Sequence, residues 1–284
     1  MTTQLMFYEQ VTPVSPQRHG DWYVEGGLNY EFARKVNAVP LVAAEIPHAA
    51  REYTVVFTEA GDAVIPVAIL GIKDNENLYL TKEGSWDAKY IPAFVRRYPF
   101  VFSKSGDRYT LCIDESWEGC NQEGRGQRLI DEKGERTPFL EKLMGFLQDY
   151  QQNAQRTATY GEKLKELDLL EQKAATFTLA SGEKISLKGF MAVNREKLHE
   201  LPAETLQQLV KTGELEVTHA HLLSMNNLSL MVERGSAHSA HEAATPGEPS
   251  IEKSATPPGK SESEQQEGDA EKKPAKARKP KTKS

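Results

Sequence analysis

The densest grouping of reactive side chains is AEIPHAAREY at 44–53, which sets Glu45, His48, Arg51 and Glu52 close together. If this stretch turns helical after Pro47, His48 and Glu52 stand four residues apart on one face, where a carboxylate can orient an imidazole for acid–base work. An ordinary surface ion pair uses the same spacing, and we favour that structural role. A second grouping, Arg96 and Arg97 in AFVRRYPF, offers guanidinium forks able to clamp a carboxylate or phosphate against flanking aromatics. The stronger alternative is again structural. Arginines beside Tyr and Phe stack on a core edge, with the charge in water or paired with an acid such as Asp114.

Three further patterns carry less. His219 and His221 in THAHLLS can share a metal only on an extended segment, because residues two apart diverge on a helix. No third ligand is evident, so no metal is expected, nor any other cofactor, and His221 is expected as a hydrogen-bonded histidine at the core edge. Cys112 in LCIDES has Asp114 on the same side of a strand, but a nucleophilic thiol needs a histidine or cationic neighbour to lower its pKa. None is adjacent, and a buried strand cysteine is the plainer reading. Cys112 and Cys120 form no CxxC pair and are expected as free thiols. EGRGQ at 123–127 lacks the Lys-Ser or Lys-Thr ending of a phosphate loop.

Strands and helices must position these groups. The first 40 residues, with Pro13, Pro16, Gly20, Gly26 and Gly27, predict an irregular or short-stranded lead-in. TVVF at 54–57, VIPVAILGI at 64–72, NLYL at 77–80 and YTLCI at 109–113 predict strands of one antiparallel sheet. YIPAFVRRYPFVF at 90–102 predicts a single short helix between Pro92 and Pro99. Thr137 is the expected N-cap of a helix with Pro138 first and Phe139, Leu143, Phe146, Leu147 and Tyr150 on one face. A second helix is expected over 159–171, then a hairpin around Ser181 and Gly182. A short helix over 202–212, stopped by Gly213, and a final helical segment over 215–232 complete the pattern. The fold class is therefore α+β, an antiparallel sheet from the N-terminal half packed with helices from the C-terminal half.

The 284-residue chain carries a net charge of −6, which argues against nucleic acid as the main ligand of its folded part. MTTQLMFYEQV has no basic start followed by an apolar run, and no stretch approaches the roughly 20 apolar residues of a membrane span. A cytoplasmic location is expected. From Arg234 onward Ser, Glu, Lys, Pro and Ala dominate and aromatics vanish, so a folded domain over 1–234 and a disordered tail over 235–284 are expected. The tail ends in KKPAKARKPKTK, a basic run that can contact a polyanion such as nucleic acid or anionic lipid, although a solvated extension is the plainer reading.

In order along the chain, LVAAEIPHAAREYTVVF, IPVAILGI, ENLYL, WDAKYIPAFVRRYPFVF, LCIDE, LIDEKGERTPFL and AHLLS resemble the SapC family of bacterial proteins, over about residues 38 to 226. That family takes its name from a protein encoded with the machinery that exports a paracrystalline surface layer, so the resemblance implies a role in surface-protein export or assembly. It supplies no catalytic residue. The polar groups inside the matching segments, Glu45, His48, Arg51, Arg96, Arg97 and Asp114, are the candidate binding positions. A surface-layer subunit needs an export signal, and the chain shows neither that nor the Gly/Asp repeats of calcium-binding secreted proteins. The expectation is thus a non-enzymatic intracellular accessory protein whose partner is a surface or exported protein, or the export machinery. The alternative is an enzyme acting on a small anionic substrate through His48/Glu52 and Arg96/Arg97.

Overall fold

Thr137 and Pro138 start the longest element of the protein. In the computed structural model, which describes residues 6–26, 29–106, 108–180 and 182–244, with side chains to 237, Thr137 is extended and its hydroxyl accepts from the Leu140 amide. Pro138, with no amide hydrogen to satisfy, takes the first helical position. In chain order the elements are β1 (Val11–Pro13), α1 (Pro16–His19), β2 (Tyr23–Val24), β3 (Ala38–Pro40), α2 (Ile46–Ala49), β4 (Thr54–Ala60), β5 (Ala63–Ile69), α3 (Ala93–Arg96), β6 (Phe100–Ser105) and β7 (Arg108–Asp114). They continue with β8 (Cys120–Asn121), β9 (Gln127–Arg128), α4 (Pro138–Glu166), β10 (Leu170–Thr178), β11 (Lys184–Val193), α5 (Arg195–His199), α6 (Ala203–Lys211), α7 (Glu214–Ser224) and α8 (Asn227–Ala244). All of these lie in the unit Met1–Thr245; the remainder is Pro246–Ser284. Gly27, Ser181 and the tail from 245 lie outside the described residues, while α8 itself runs past Arg234.

The α+β class is as expected, with every strand pair antiparallel, but the expected single sheet is divided. The largest sheet has the order β10-β11-β4-β5-β3, a second has β1-β7-β6, and a small third has β8-β2-β9. YTLCI therefore joins a different sheet from TVVF. NLYL is not a strand, because the Asn77 side chain accepts from the Tyr79 amide and donates to Ala33 O, making a local turn where a ladder would run. Only Leu80 bridges, to Trp86. The short helix expected between Pro92 and Pro99 is α3: Pro92 is its N-cap, Pro99 disfavours helix at Tyr98, and Phe100 opens β6.

The expected helix over 159–171 is the second half of α4, since the polar stretch QQNAQRTA contains no Gly or Pro to interrupt the first. Its end also differs from expectation. Asp168 takes a left-handed conformation (φ 51°), and the chain leaves the helix to enter β10. Inside α4, Gly161 rests on β5 so closely that a Cβ there would lie 2.1 Å from Val64 O. Tyr160 and Leu164 beside it pack with Phe57, Val64, Leu169, Met191 and Val193 in one core. The other end of α4 closes a separate core through Leu140 and Leu147 against Phe100, Leu111 and Ile113.

The final segment is two helices rather than one. Ser224 Oγ accepts from Val55 N at 3.0 Å, and the Asn227 amide donates to Ala50 O and Tyr53 O at 2.8 Å, so both side chains dock the α7–α8 junction on the start of β4. His221 is not at the core edge but fully buried. β11 pairs with β4 only at Met191 and Phe57, and the next pair in that register, Val193 and Val55, is separated by the imidazole. Nδ1–H donates to Val55 O at 2.9 Å and Nε2 accepts from Val193 N at 3.0 Å, which fixes the neutral tautomer. No helix among the described residues is long and apolar enough to cross a membrane.

Two outcomes follow. Burial lowers the His221 pKa from 6.5 to about 4, with the Val55 carbonyl opposing. The unfolded chain therefore takes up the proton first, and stability present above about pH 6.5 is lost as pH falls toward 4; urea titrations at pH 7.5 and 5 should differ by about 2 kcal/mol from this residue. Gly161→Ala should destabilise by about 1–3 kcal/mol in the same assay, because the new methyl meets backbone rather than a movable side chain.

Candidate functional site

Tyr90, which sequence reasoning passed over, is where the polar candidates converge. The turn Ala43–Glu45 delivers Glu45 into the interior, where Oε1 accepts from Tyr90 OH and Ala93 N, both at 2.6 Å, and Oε2 accepts from Val42 N at 2.9 Å. Glu52 accepts from the Tyr90 and Lys89 amides at 3.0 Å, and the Tyr90 carbonyl accepts from Tyr53 OH. The ring of Tyr90 carries His48 stacked at 5.8 Å and the Arg96 guanidinium at 5.9 Å. Every polar group of Tyr90 is thus engaged. Burial, then the Glu45 charge, push its hydroxyl pKa well up, so it remains the donor to Glu45.

The arrangement differs from an acid–base site in one decisive respect. Glu52 faces the amides of residues 89 and 90, so the expected His48–Glu52 pair does not form. His48 is exposed, and so is Arg96, whose Nε donates to Ile91 O at 2.9 Å and whose plane lies 5.3 Å from the Phe146 ring. Arg96 is the stacked core-edge arginine that its aromatic neighbours predict. Arg97 points the other way, because consecutive helical residues are about 100° apart. It is buried, over the Phe94 ring at 4.1 Å and beside those of Tyr150 at 5.1 Å and Tyr8 at 5.8 Å. The two guanidiniums therefore do not form one clamp.

Asp114 is fully buried at the end of β7 and holds the N-terminal segment. Its carboxylate accepts from Glu9 N at 2.8 Å, Gln10 N at 3.0 Å and Ser116 Oγ at 2.7 Å. Burial opposes its charge, but the hydrogen bonds from Ser116, Glu9 and Gln10 outweigh burial and lower its pKa. Both cysteines are free thiols. Burial raises the Cys112 pKa, and burial with the Asp114 and Glu115 charges pushes Cys120 up to about 12, the reverse of what a nucleophile needs. His219 lies against Leu215 O at 2.9 Å, opposite in direction to His221, and no metal-binding cluster occurs among the described residues.

Arg51 lines an open surface groove. Pro47 on α2, Ala50 at its C-cap, Val210 on α6, and Leu215 and Leu223 on α7 form a concavity of about 660 Å³ with Arg51, Glu216 and His219 on its walls. Val210 and Leu223 are 60% and 63% exposed, against the usual tendency of large aliphatic side chains to be covered. A signal for it was present in the sequence: α7 carries Leu215, Val217, Ala220, Leu222 and Leu223, apolar residues on more of its circumference than one core can cover.

The SapC family matches residues 14–231, and the chain belongs to that family. The match begins earlier and ends later than the resembling segments read above. No curated protein and no solved structure is matched by the chain. The geometry predicts opposite outcomes for two neighbours: Glu45→Ala, which strands three donors, should cost at least about 3 kcal/mol in urea denaturation. His48→Ala, on the exposed face of Tyr90, should stay within about 0.5 kcal/mol of the parent.

Proposed function

We propose that this member of the SapC family is a non-enzymatic accessory protein that acts in the cytoplasm on a surface or exported protein, or on the machinery that exports it. The observation supporting this reading is the groove between α2, α6 and α7, whose exposed Val210 and Leu223 suit the apolar face of a partner segment. Arg51 and Glu216 on its walls add charges of both signs that would set the orientation of the bound segment. The chemistry of the carboxylates and thiols fits the same reading. Glu45, Glu52 and Asp114 are saturated by amides and hydroxyls, and both thiols are held protonated.

An enzyme acting through His48/Glu52 and Arg96/Arg97 has less support, because Glu52 faces amides and the arginines diverge. Binding of nucleic acid or anionic lipid belongs in this reading only to the basic run at 272–283, and would be a separate, salt-sensitive activity.

Affinity capture from native lysate, comparing the full chain with Leu223→Asp and Val210→Asp, tests the proposal. A surface protein, exported protein or exporter component should be retained by the parent and reduced at least about tenfold by either variant, with thermal stability unchanged. Repeated recovery of no such partner, or recovery equal in all three, would overturn it.

A further inference from the structure

A second concavity, remote in its lining from the groove on α7, lies among the β4–β5 hairpin, β6 and the middle of α4. Its volume of about 680 Å³ falls within the roughly 300–1,000 Å³ typical of small-molecule sites. Leu41, Ile65, Val101 and Leu147 supply much of its apolar wall, and the exposed Gln155 marks its mouth. Two cations, Arg97 and Lys104, and one acid, Asp62, also line it, so its charged lining is cationic on balance.

The polar groups within this wall are unevenly placed. The Arg97 guanidinium lies 5.1 Å from the Tyr150 ring, and both residues face the cavity. Burial raises the Tyr150 pKa, the nearby Arg97 charge opposes, the Glu45 charge raises it further, and no hydrogen bond to its hydroxyl contributes. A phenol held protonated beside a buried guanidinium presents an O–H donor next to positive charge, the combination that recognises a carboxylate. Water filling such a cavity would find few polar partners along the aliphatic wall.

We propose that the cavity binds one long-chain carboxylate, with its head at Tyr150 and Arg97 and its hydrocarbon chain along Leu41, Ile65, Val101 and Leu147. The aliphatic wall takes the chain by excluding water from it, and the Tyr150–Arg97 pair distinguishes an acid from an uncharged lipid. This site does not depend on the partner groove: neither Val210 nor Leu223 lines it.

Calorimetric titration of the full chain with dodecanoate, below its micellar concentration, tests the proposal, with dodecanol and acetate as the comparison probes. Dodecanoate should bind saturably at one per chain, dodecanol at least about tenfold more weakly, and acetate not at all. Ala154→Trp, which places an indole into the cavity from α4, should abolish binding while circular dichroism stays unchanged. Tyr150→Phe, which removes only the hydroxyl, should weaken binding about three- to tenfold. Absence of saturable dodecanoate binding, equal affinity for dodecanol, or undiminished binding by a folded Ala154→Trp would overturn the proposal. If Ala154→Trp does not fold, the Tyr150→Phe affinity decides, and an unchanged value rejects the site.

Discussion

Val55 turns its carbonyl and its amide away from β5, toward a place where β11 has already diverged. Two backbone groups buried there without partners would each cost on the order of 1–3 kcal/mol. His221 and Ser224 from α7 satisfy both, and the same imidazole satisfies Val193 on the opposite strand. The width of the largest sheet, the docking of α7 and the path into α8 all follow from that one insertion. A side chain has taken the place of a ladder rung, and its neutral state is required because a second N–H would point at the Val193 amide.

The same economy governs the polar candidates elsewhere. Glu45 joins the turn before α2 to the start of α3, Glu52 caps the chain entering α3 at residues 89 and 90, and Asp114 gathers residues 9 and 10 onto the end of β7. Each is a carboxylate used as a fixed acceptor for amides of a distant segment. The groove and the cavity are of a different chemical kind: aliphatic side chains between α2, α6 and α7, and an aliphatic wall with a phenol and a guanidinium.

Local signals were legible where one or two residues decide a conformation. Thr137–Pro138 announces the start of α4, and Gly213, at φ 76°, stops the helix before it. The α+β class was legible as well. Strand partnership was not, because YTLCI and TVVF have the same β-like composition and only tertiary packing assigns them to different sheets. NLYL was misread for a more local reason, the side chain of Asn77 acting as a backbone mimic. Within the site, the cluster Glu45, His48 and Glu52 was visible, but its centre was not: Tyr90 lies far along the chain, and nothing about a tyrosine before Ile-Pro marks it as a hub. Arg96 and Arg97 show the same limit, since adjacency in sequence hid their divergence on α3.

The bridge at His221 has a consequence for how the chain comes to be folded. Val55 leaves the ribosome long before the residue that completes it, 166 positions later. Until α7 emerges, the β4–β5 hairpin presents one edge with unmet hydrogen-bonding groups, the kind of edge on which foreign strands can grow. The C-terminal helices are thus a late, intramolecular cover for an edge made in the N-terminal half.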